Sequence, residues 1–350
     1  MQELSSSRVK TFTIGTYDDR NEADDAKRIA NHLGTDHTEL YIDDTDALKL
    51  VDSLSDIWDE PFADSSQIPM LIVSQLAKSN VTVALSGDGG DELFAGYKRY
   101  STGPDLWENL KSKPDIYKKA VNKMKENKSA KALINGFDYF LKYEAGIFEQ
   151  VKLWADIYRI DRKDDLYDFS LSSWNDLNNI LTPDYILNVE SPRFNDAISH
   201  IENMMLTDQL NYLPNDNLTK VDRASMHHSL EVRSPLLDFR IAELSWQIPD
   251  KEKLIDGVGK IPLREILYKY VPPDILDKPK RGFAVPVNDW ILKDLKEWVD
   301  ELLDPVKMKN DGILNHKYIS EYWARIKRTN FLQSKKLWTI VMFQSWLRNQ

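Results

Sequence analysis

Apolar positions recur along this chain in two rhythms, and the change between them divides it. Through roughly the first hundred residues, short β-branched runs alternate with helical stripes. Val9 to Gly15 (VKTFTIG) reads as a strand. Glu22 to Leu33 sets Ala23, Ala26, Ile29, Ala30 and Leu33 on one helical face, and Gly34 offers the left-handed residue that closes a helix. His37 to Ile42 reads as a second strand, Asp46 to Trp58 and Ser66 to Lys78 as helices, and Val81 to Ser86 as a third, buried strand. Strand alternating with helix predicts a parallel sheet with helices on its faces, hence an α/β fold. From about Tyr100 the rhythm turns to long helical stripes. Ala197 to Leu213, Tyr318 to Arg328 and Ser334 to Leu347 are examples; the last carries Leu337, Ile340, Val341, Phe343 and Trp346 as core positions. The pattern predicts an α/β part over residues 1–100 and a large, mainly helical part over 101–350.

The third strand breaks off into Ser86-Gly87-Asp88-Gly89-Gly90-Asp91-Glu92. Open α/β sheets bind their ligands beyond the carboxyl ends of the strands. Glycines there let backbone amides come close to a ligand. Acidic side chains suit a hard cation such as Mg²⁺, which prefers carboxylate oxygen together with substrate phosphate. The plain alternative is a surface turn with solvated charges.

Composition narrows the class. The 350 residues carry a net charge of −10 and no cysteine. An acidic chain lacks the basic footprint of a duplex nucleic-acid binder. The lysine-rich stretch from Lys111 to Lys131 reads better as a solvated helical face than as a nucleic-acid patch. No apolar run approaches the roughly 18 residues of a membrane span, and MQELSSSRVK lacks the apolar core of a signal peptide. Without cysteine there is no disulfide framework and no thiolate chemistry. Together these point to the cytoplasm, with neither nucleic acid nor membrane as partner. No G-x-x-x-x-G-K-[ST] occurs, and no G-x-G-x-x-G follows a strand.

Further motifs stand beside SGDGGDELFAGY: EPFADSSQIP from Glu60, LPNDNLTKVDRASMHHSLEVR from Leu213, SPLLD from Ser234, KIPLRE from Lys260 and KPKRGFAVP from Lys278. In this order, from about Val9 to the C-terminus, the set resembles the synthetase domain of glutamine-dependent asparagine synthetases, a family that includes the β-lactam synthetases. The resemblance implies the ATP-pyrophosphatase type of adenine-nucleotide α-hydrolase fold, with ATP and Mg²⁺ as cofactors. It implies adenylation of the aspartate side-chain carboxylate with release of pyrophosphate, then displacement of AMP by ammonia drawn from glutamine to give asparagine. A homodimer is left open.

By the same resemblance, Asp91 is the Mg²⁺ ligand, Ser86 and Gly87 lie against ATP with Gly87 at the ribose, and the backbone of Ile14 and Gly15 recognises adenine. Asp88 stands near the acceptor carboxylate and the incoming amine. Lys260 stabilises the charged intermediate, a role suited to a compact ammonium; alone it would read as a solvated lysine after the Gly257/Gly259 turn. Lys280 and Arg281 could steer pyrophosphate or belong to a surface loop. Asp222, Arg223 and Arg233 are open between ligand contact and structural ion pairs. Asp64, Ser65 and Ser66 read first as a helix cap. His227 and His228 point about 100° apart on a helix and make a poor metal pair.

The sequence also departs from the family. It has no N-terminal cysteine of a glutaminase domain and no room for that domain. It lacks the S-G-G-x-D-S pyrophosphate loop that the family carries shortly before the segment matching Met1 to Ser7. That loop supplies the other Mg²⁺ carboxylate, and its strand belongs in the middle of the sheet. The expectation is therefore a truncated chain, begun at an internal methionine or cut at a boundary, with little activity alone. Two other readings stay open: the same fold amidating or cyclising another carboxylate, as in β-lactam synthetase-like or polysaccharide-modifying relatives, and a non-enzymatic module that keeps the fold.

Overall fold

Threonines and β-branched residues in KTFTIGT favour an extended backbone, and they form strand β1 (Lys10–Thr16). The computed structural model describes residues 1–17, 22–116, 119, 123, 153–175, 177–185, 192–276, 285–329 and 334–350. Helix α1 (Ala23–Leu33) carries the chain from β1 to β2 (Asp36–Ile42). Parallel pairing needs a crossover of this kind, and β1 and β2 are parallel in register from Lys10 with Asp36 to Thr16 with Ile42. Gly34 closes α1 at φ 70°, its N–H reaching back to the last turn, as the sequence predicts.

The expected helix from Asp46 to Trp58 is broken into three pieces: Asp44–Leu48, a 3₁₀ turn at Val51–Ser53, and Leu54–Trp58. Asp43 caps the first piece through Asp46 N–H at 3.0 Å, and the turn lets Ala47, Val51, Leu54 and Trp58 all reach the core. Helix α2 (Gln67–Lys78) follows and packs on β1.

Strand β3 is shorter than expected, Val83–Leu85, and it is not buried: Val83 is 41% and Leu85 50% exposed. Its apolar residues suit a strand whether or not a neighbour covers them, so sequence alone could not separate the two cases. β3 pairs in parallel with β4 (Glu231–Arg233), a strand too short to announce itself. The strands thus form two separate two-stranded parallel sheets, β1–β2 and β3–β4, where one continuous sheet was expected.

The chain divides into two compact units. The first comprises residues 1–100, 205–286 and 345–350 and holds the four strands found among the described residues. Beyond β3 it contains α3 (Gly90–Leu93), α4 (Thr219–His227), α5 (Phe239–Gln247) and α6 (Ile261–Leu267). The expected helix from Ala197 to Leu213 is α-helical only over His200–Thr207. It then widens into π-helical turns over Asp208–Leu218, where Pro214 has no N–H to give to an α-helical ladder.

The second unit, residues 101–204 and 287–344, is helical among its described residues. Trp107, Leu110, Ile157 and Leu166 form one core cluster in it. The helix His316–Thr329 buries Ile319, Tyr322, Trp323 and Ile326, a stripe of helical period. Asp300 accepts from Trp323 Nε1 at 2.7 Å and Lys327 Nζ at 2.6 Å. In Ser334–Arg348 the expected core positions Leu337, Ile340 and Val341 are buried, while Phe343 and Trp346 are half-buried. Among the described residues no helix is long and apolar enough to cross a membrane.

Candidate functional site

The turn after β3 is fixed by short polar contacts. Ser86 N–H donates to Arg233 O at 2.9 Å, extending the β3–β4 pairing by one step. Ser86 Oγ donates to Asp88 Oδ2 at 2.6 Å and shares a hydrogen bond with Ser234 Oγ at 2.8 Å. Gly89 turns the chain into α3 at φ 87°, and a Cβ there would collide with Leu237. The SGDGGDE and SPLLD segments therefore fit together. Beside them an open cleft of about 600 Å³ is lined by Leu85, Ser234, Asp238 and Arg240, among others. Asp238 caps α5, and its hydrogen bonds to Arg240 hold its carboxyl down at about 2.

One turn of α3 sends its two carboxylates in different directions, about 100° apart. Asp91 stays partly exposed and forms an ion pair with Lys260 at 2.9 Å. Lys260 is held in the left-handed region, φ 62°, with its N–H donating to Phe94 O at 2.8 Å. Arg264 Nε donates to Gly259 O at 3.1 Å, and Gly259 itself sits too close to the Ala95 carbonyl to carry a Cβ.

Glu92 instead points inward and is only 1% exposed. Its Oε1 accepts from Tyr97 OH at 2.6 Å and Asn217 Nδ2 at 2.8 Å. Its backbone carbonyl accepts from Gln209 Nε2 at 3.0 Å. Asn217 Oδ1 in turn accepts from Lys220 Nζ at 3.4 Å, and Lys220 donates to Asp64 Oδ2 at 2.7 Å and Ser66 Oγ at 2.9 Å. A continuous polar chain thus joins the turn after β3, the Asp208–Leu218 segment, α4 and the entry to α2. Burial and the neighbouring Glu92 push the Tyr97 phenol up, well above its ordinary range. Burial alone would raise the Asp64 carboxyl, but the Lys220 ammonium outweighs it and the net shift is downward.

The residues expected at the site fall into three groups. Ser86 and Asp88 are joined directly, Asp91 and Lys260 are joined directly, and Gly87, between Ser86 and Asp88 in the chain, has open space at its Cβ position. Ile14 and Gly15 are buried at the carboxyl end of β1, in register with Leu40 and Tyr41; no described contact ties them to the β3 turn. Lys280 and Arg281 lie outside the described residues.

Other charged residues named from the sequence are seen in polar pairs. Arg223 pairs with Asp59 at 3.0 Å and Arg233 with Glu231 at 2.7 Å, both exposed. Asp64 accepts from Ser66 N–H at 2.9 Å and holds Lys220, but the residue that precedes α2, Ser66, makes no side-chain cap hydrogen bond, so the expected cap is not formed. The His227 and His228 rings meet edge to face at 4.9 Å, and burial with the adjacent His227 lowers the His228 pKa. Sequence reasoning counted Glu92 among the acidic side chains suited to a cation, where it is in fact buried against Tyr97 and Asn217, and it missed Gly96, Tyr97, Asn217, Lys220 and Ser234. All lie inside motifs that were noticed, and nothing local marks which members face one another.

Among the described residues no three or more His, Cys, Asp or Glu side chains gather into a metal cage. Mg²⁺ is commonly bound by one or two carboxylates plus substrate phosphates, so Asp91, an oxygen donor with part of its surface open, suits such a shared ion.

Comparison with known proteins decides the relationship. The family described as asparagine synthase matches residues 1–348. This chain belongs to the asparagine synthase family. It is 30% identical over 350 residues to asparagine synthetase [glutamine-hydrolyzing] 1 of Bacillus subtilis (strain 168), covering 97% of this chain and 52% of that protein. A putative asparagine synthetase [glutamine-hydrolyzing] of Mycobacterium tuberculosis (strain ATCC 25618 / H37Rv) is 27% identical over 346 residues, covering 97% and 50%. The human asparagine synthetase [glutamine-hydrolyzing] is 20% identical over 326 residues, covering 89% and 41%. The chain spans about half the length of the B. subtilis and M. tuberculosis relatives. The α/β architecture with parallel strands is that of the family's ATP-pyrophosphatase type.

Proposed function

We propose that this chain carries the synthetase half of an enzyme that amidates the aspartate side-chain carboxylate at the expense of ATP. The Lys260–Asp91 pair at the carboxyl end of β3 carries this reading. It sets a cation and a carboxylate side by side where a sheet of this class receives its ligand.

In this reading a carboxylate oxygen of aspartate attacks the α-phosphorus of ATP, and the bond to pyrophosphate breaks. Ammonia derived from glutamine then attacks the acyl carbon of β-aspartyl-AMP. The bond to AMP breaks, a proton leaves the nitrogen, and asparagine, AMP and pyrophosphate result. Mg²⁺, held by Asp91 with the phosphates, would neutralise the charge that builds on them. Lys260 would place its ammonium against the same developing charge, worth most when positioned in advance. Asp88, fixed by Ser86, would face the acceptor carboxylate and take up the proton of the incoming amine. Gly87 admits the ribose, and the backbone of Ile14 and Gly15 reads the adenine edge.

The reading further holds that these residues form one half of the site. Two two-stranded sheets with an exposed β3 are what the family's fold would leave if its middle strand and pyrophosphate loop came from polypeptide outside these 350 residues. The relatives' double length agrees with this. Location in the cytoplasm is part of the same proposal.

The test is to express the chain with whatever precedes it in its reading frame and to measure AMP and pyrophosphate with ATP, Mg²⁺, ammonia and a panel of carboxylates. Aspartate-dependent formation of both supports the reading. Turnover with a different carboxylate alone would move the chain to a β-lactam synthetase-like or polysaccharide-modifying role, and no turnover with any would leave a binding module.

A further inference from the structure

Gly96 has no side chain for a reason other than backbone conformation. Its φ lies outside the left-handed region that Gly34, Gly89, Gly257 and Gly312 occupy, so an L-residue could adopt its backbone. Space is what an L-residue would lack. A Cβ built on Gly96 collides with Asp91 Oδ1 and Lys260 Cε and sits 2.9 Å from Asp91 Cα. Two of those three atoms belong to the side chains that form the ion pair. The position is also anchored, because Gly96 N–H donates to Asp91 O at 2.8 Å. On the other side Lys260 N–H is bonded to Phe94 O, and Gly259 abuts Ala95 O. The backbone from Phe94 to Gly96 is thus pressed between the Asp91 turn and the Gly259-Lys260 turn, and neither can retreat without losing a main-chain contact.

We propose that Gly96 is a positioning residue: its empty Cβ volume is the cradle through which Lys260 reaches Asp91. The inference rests on the functional reading only in giving that pair its chemical role. The geometry calls for a side-chain-free residue at 96 whatever the substrate. Even one methyl group would displace the Lys260 ammonium, the Asp91 carboxylate, or both.

The test is the accessibility of one amine in the 350-residue protein, read by brief acetylation and peptide mass spectrometry. Gly96→Ala should raise modification of Lys260 by roughly two- to fivefold, the range a partly exposed ion pair protects. Asp91→Asn should give the same rise. The double variant should show no further increase, and Lys78 and Lys98 should stay at their wild-type levels. Unchanged Lys260 modification in folded Gly96→Ala, with a rise in Asp91→Asn, would overturn the cradle, as would a rise shared by every lysine.

If Gly96→Ala does not fold, the same substitution is made in an Asp91→Ala/Lys260→Ala background. With both side chains gone, only the approach to the Asp91 Cα remains, so the added methyl should be accommodated in a folded protein with a modest fall in melting temperature from that of the double variant. A collapse there as well would assign the glycine to the Asp91 backbone and end the proposal. Acetylation needs no substrate. A protein that never activates aspartate but shows the Gly96 effect therefore overturns the function and keeps the cradle.

Discussion

Asn217 donates its side-chain N–H to the buried carboxylate of Glu92 at 2.8 Å, across 125 positions of sequence. The same carboxamide accepts from Lys220 through its oxygen, so one side chain fastens the turn after β3 to the charge pair beside α2. A hydrogen bond to a buried charged group contributes about 1.5–3 kcal/mol. Asn217→Ala should destabilise the first unit by that amount in urea unfolding. A loss below about 0.5 kcal/mol, the range of an indifferent surface change, would show that Glu92 does not depend on Asn217.

Lys220 and Asp64 lie 2.7 Å apart with little surface open. Lys220→Met would strand a carboxylate, at a cost of about 1–3 kcal/mol once partial solvent access is allowed for. Its pH dependence has a definite sign. The folded-state pKa of Asp64 lies below its ordinary 3.8. The pair therefore stabilises fully above that value, and its contribution is lost as pH falls through the folded pKa. Unfolding of the wild type and Lys220→Met should differ near neutrality and converge in strong acid; a constant difference would contradict the assignment.

Gly89 is a different kind of glycine from Gly96. It needs the left-handed backbone, and a Cβ would also strike Leu237. Gly89→Ala should cost about 2–4 kcal/mol from the two effects together. Adding Leu237→Ala should recover part of that loss, and failure to recover any would place the whole cost in the backbone.

His200, in the second unit, is lowered from 6.5 to about 4 by burial, with Lys163 adding to the shift. It packs edge to face on Phe194 at 5.7 Å. The unfolded chain binds a proton here before the folded one does. Stability should therefore fall as pH drops from about 6.5 towards about 4, and be untouched above that window. His200→Gln should flatten the slope between those values. An unchanged slope would assign it to other groups.

Local pattern carried much of the fold. Gly34 marked the end of α1, and alternation marked β1 and β2, because each signal is a property of a few neighbouring residues. The Asp46 to Trp58 stretch misled because Val51, Leu54 and Trp58 satisfy a helical period even when the chain breaks between them. β3 misled because valine and leucine favour strands whether covered or not. At the site, the glycine-rich turn was legible as a candidate ligand loop, and Lys260 only through the family resemblance. That Asp91 faces Lys260 while Glu92 turns to Tyr97 and Asn217 was not, since the difference is one helical step and the partners lie far along the chain. Lys220 and Asp64, 156 positions apart, leave no periodic trace at all.

Adenylation of aspartate is tested most directly by where its side-chain oxygen goes. Aspartate carrying heavy oxygen in its side-chain carboxylate should be supplied with ATP, Mg²⁺ and ammonia to the protein expressed from its complete reading frame. If the carboxylate attacks the α-phosphorus, one heavy oxygen must leave in AMP, and mass spectrometry should find it there. Unlabelled AMP, or ADP and phosphate in its place, would contradict adenylation at the Asp91–Lys260 site.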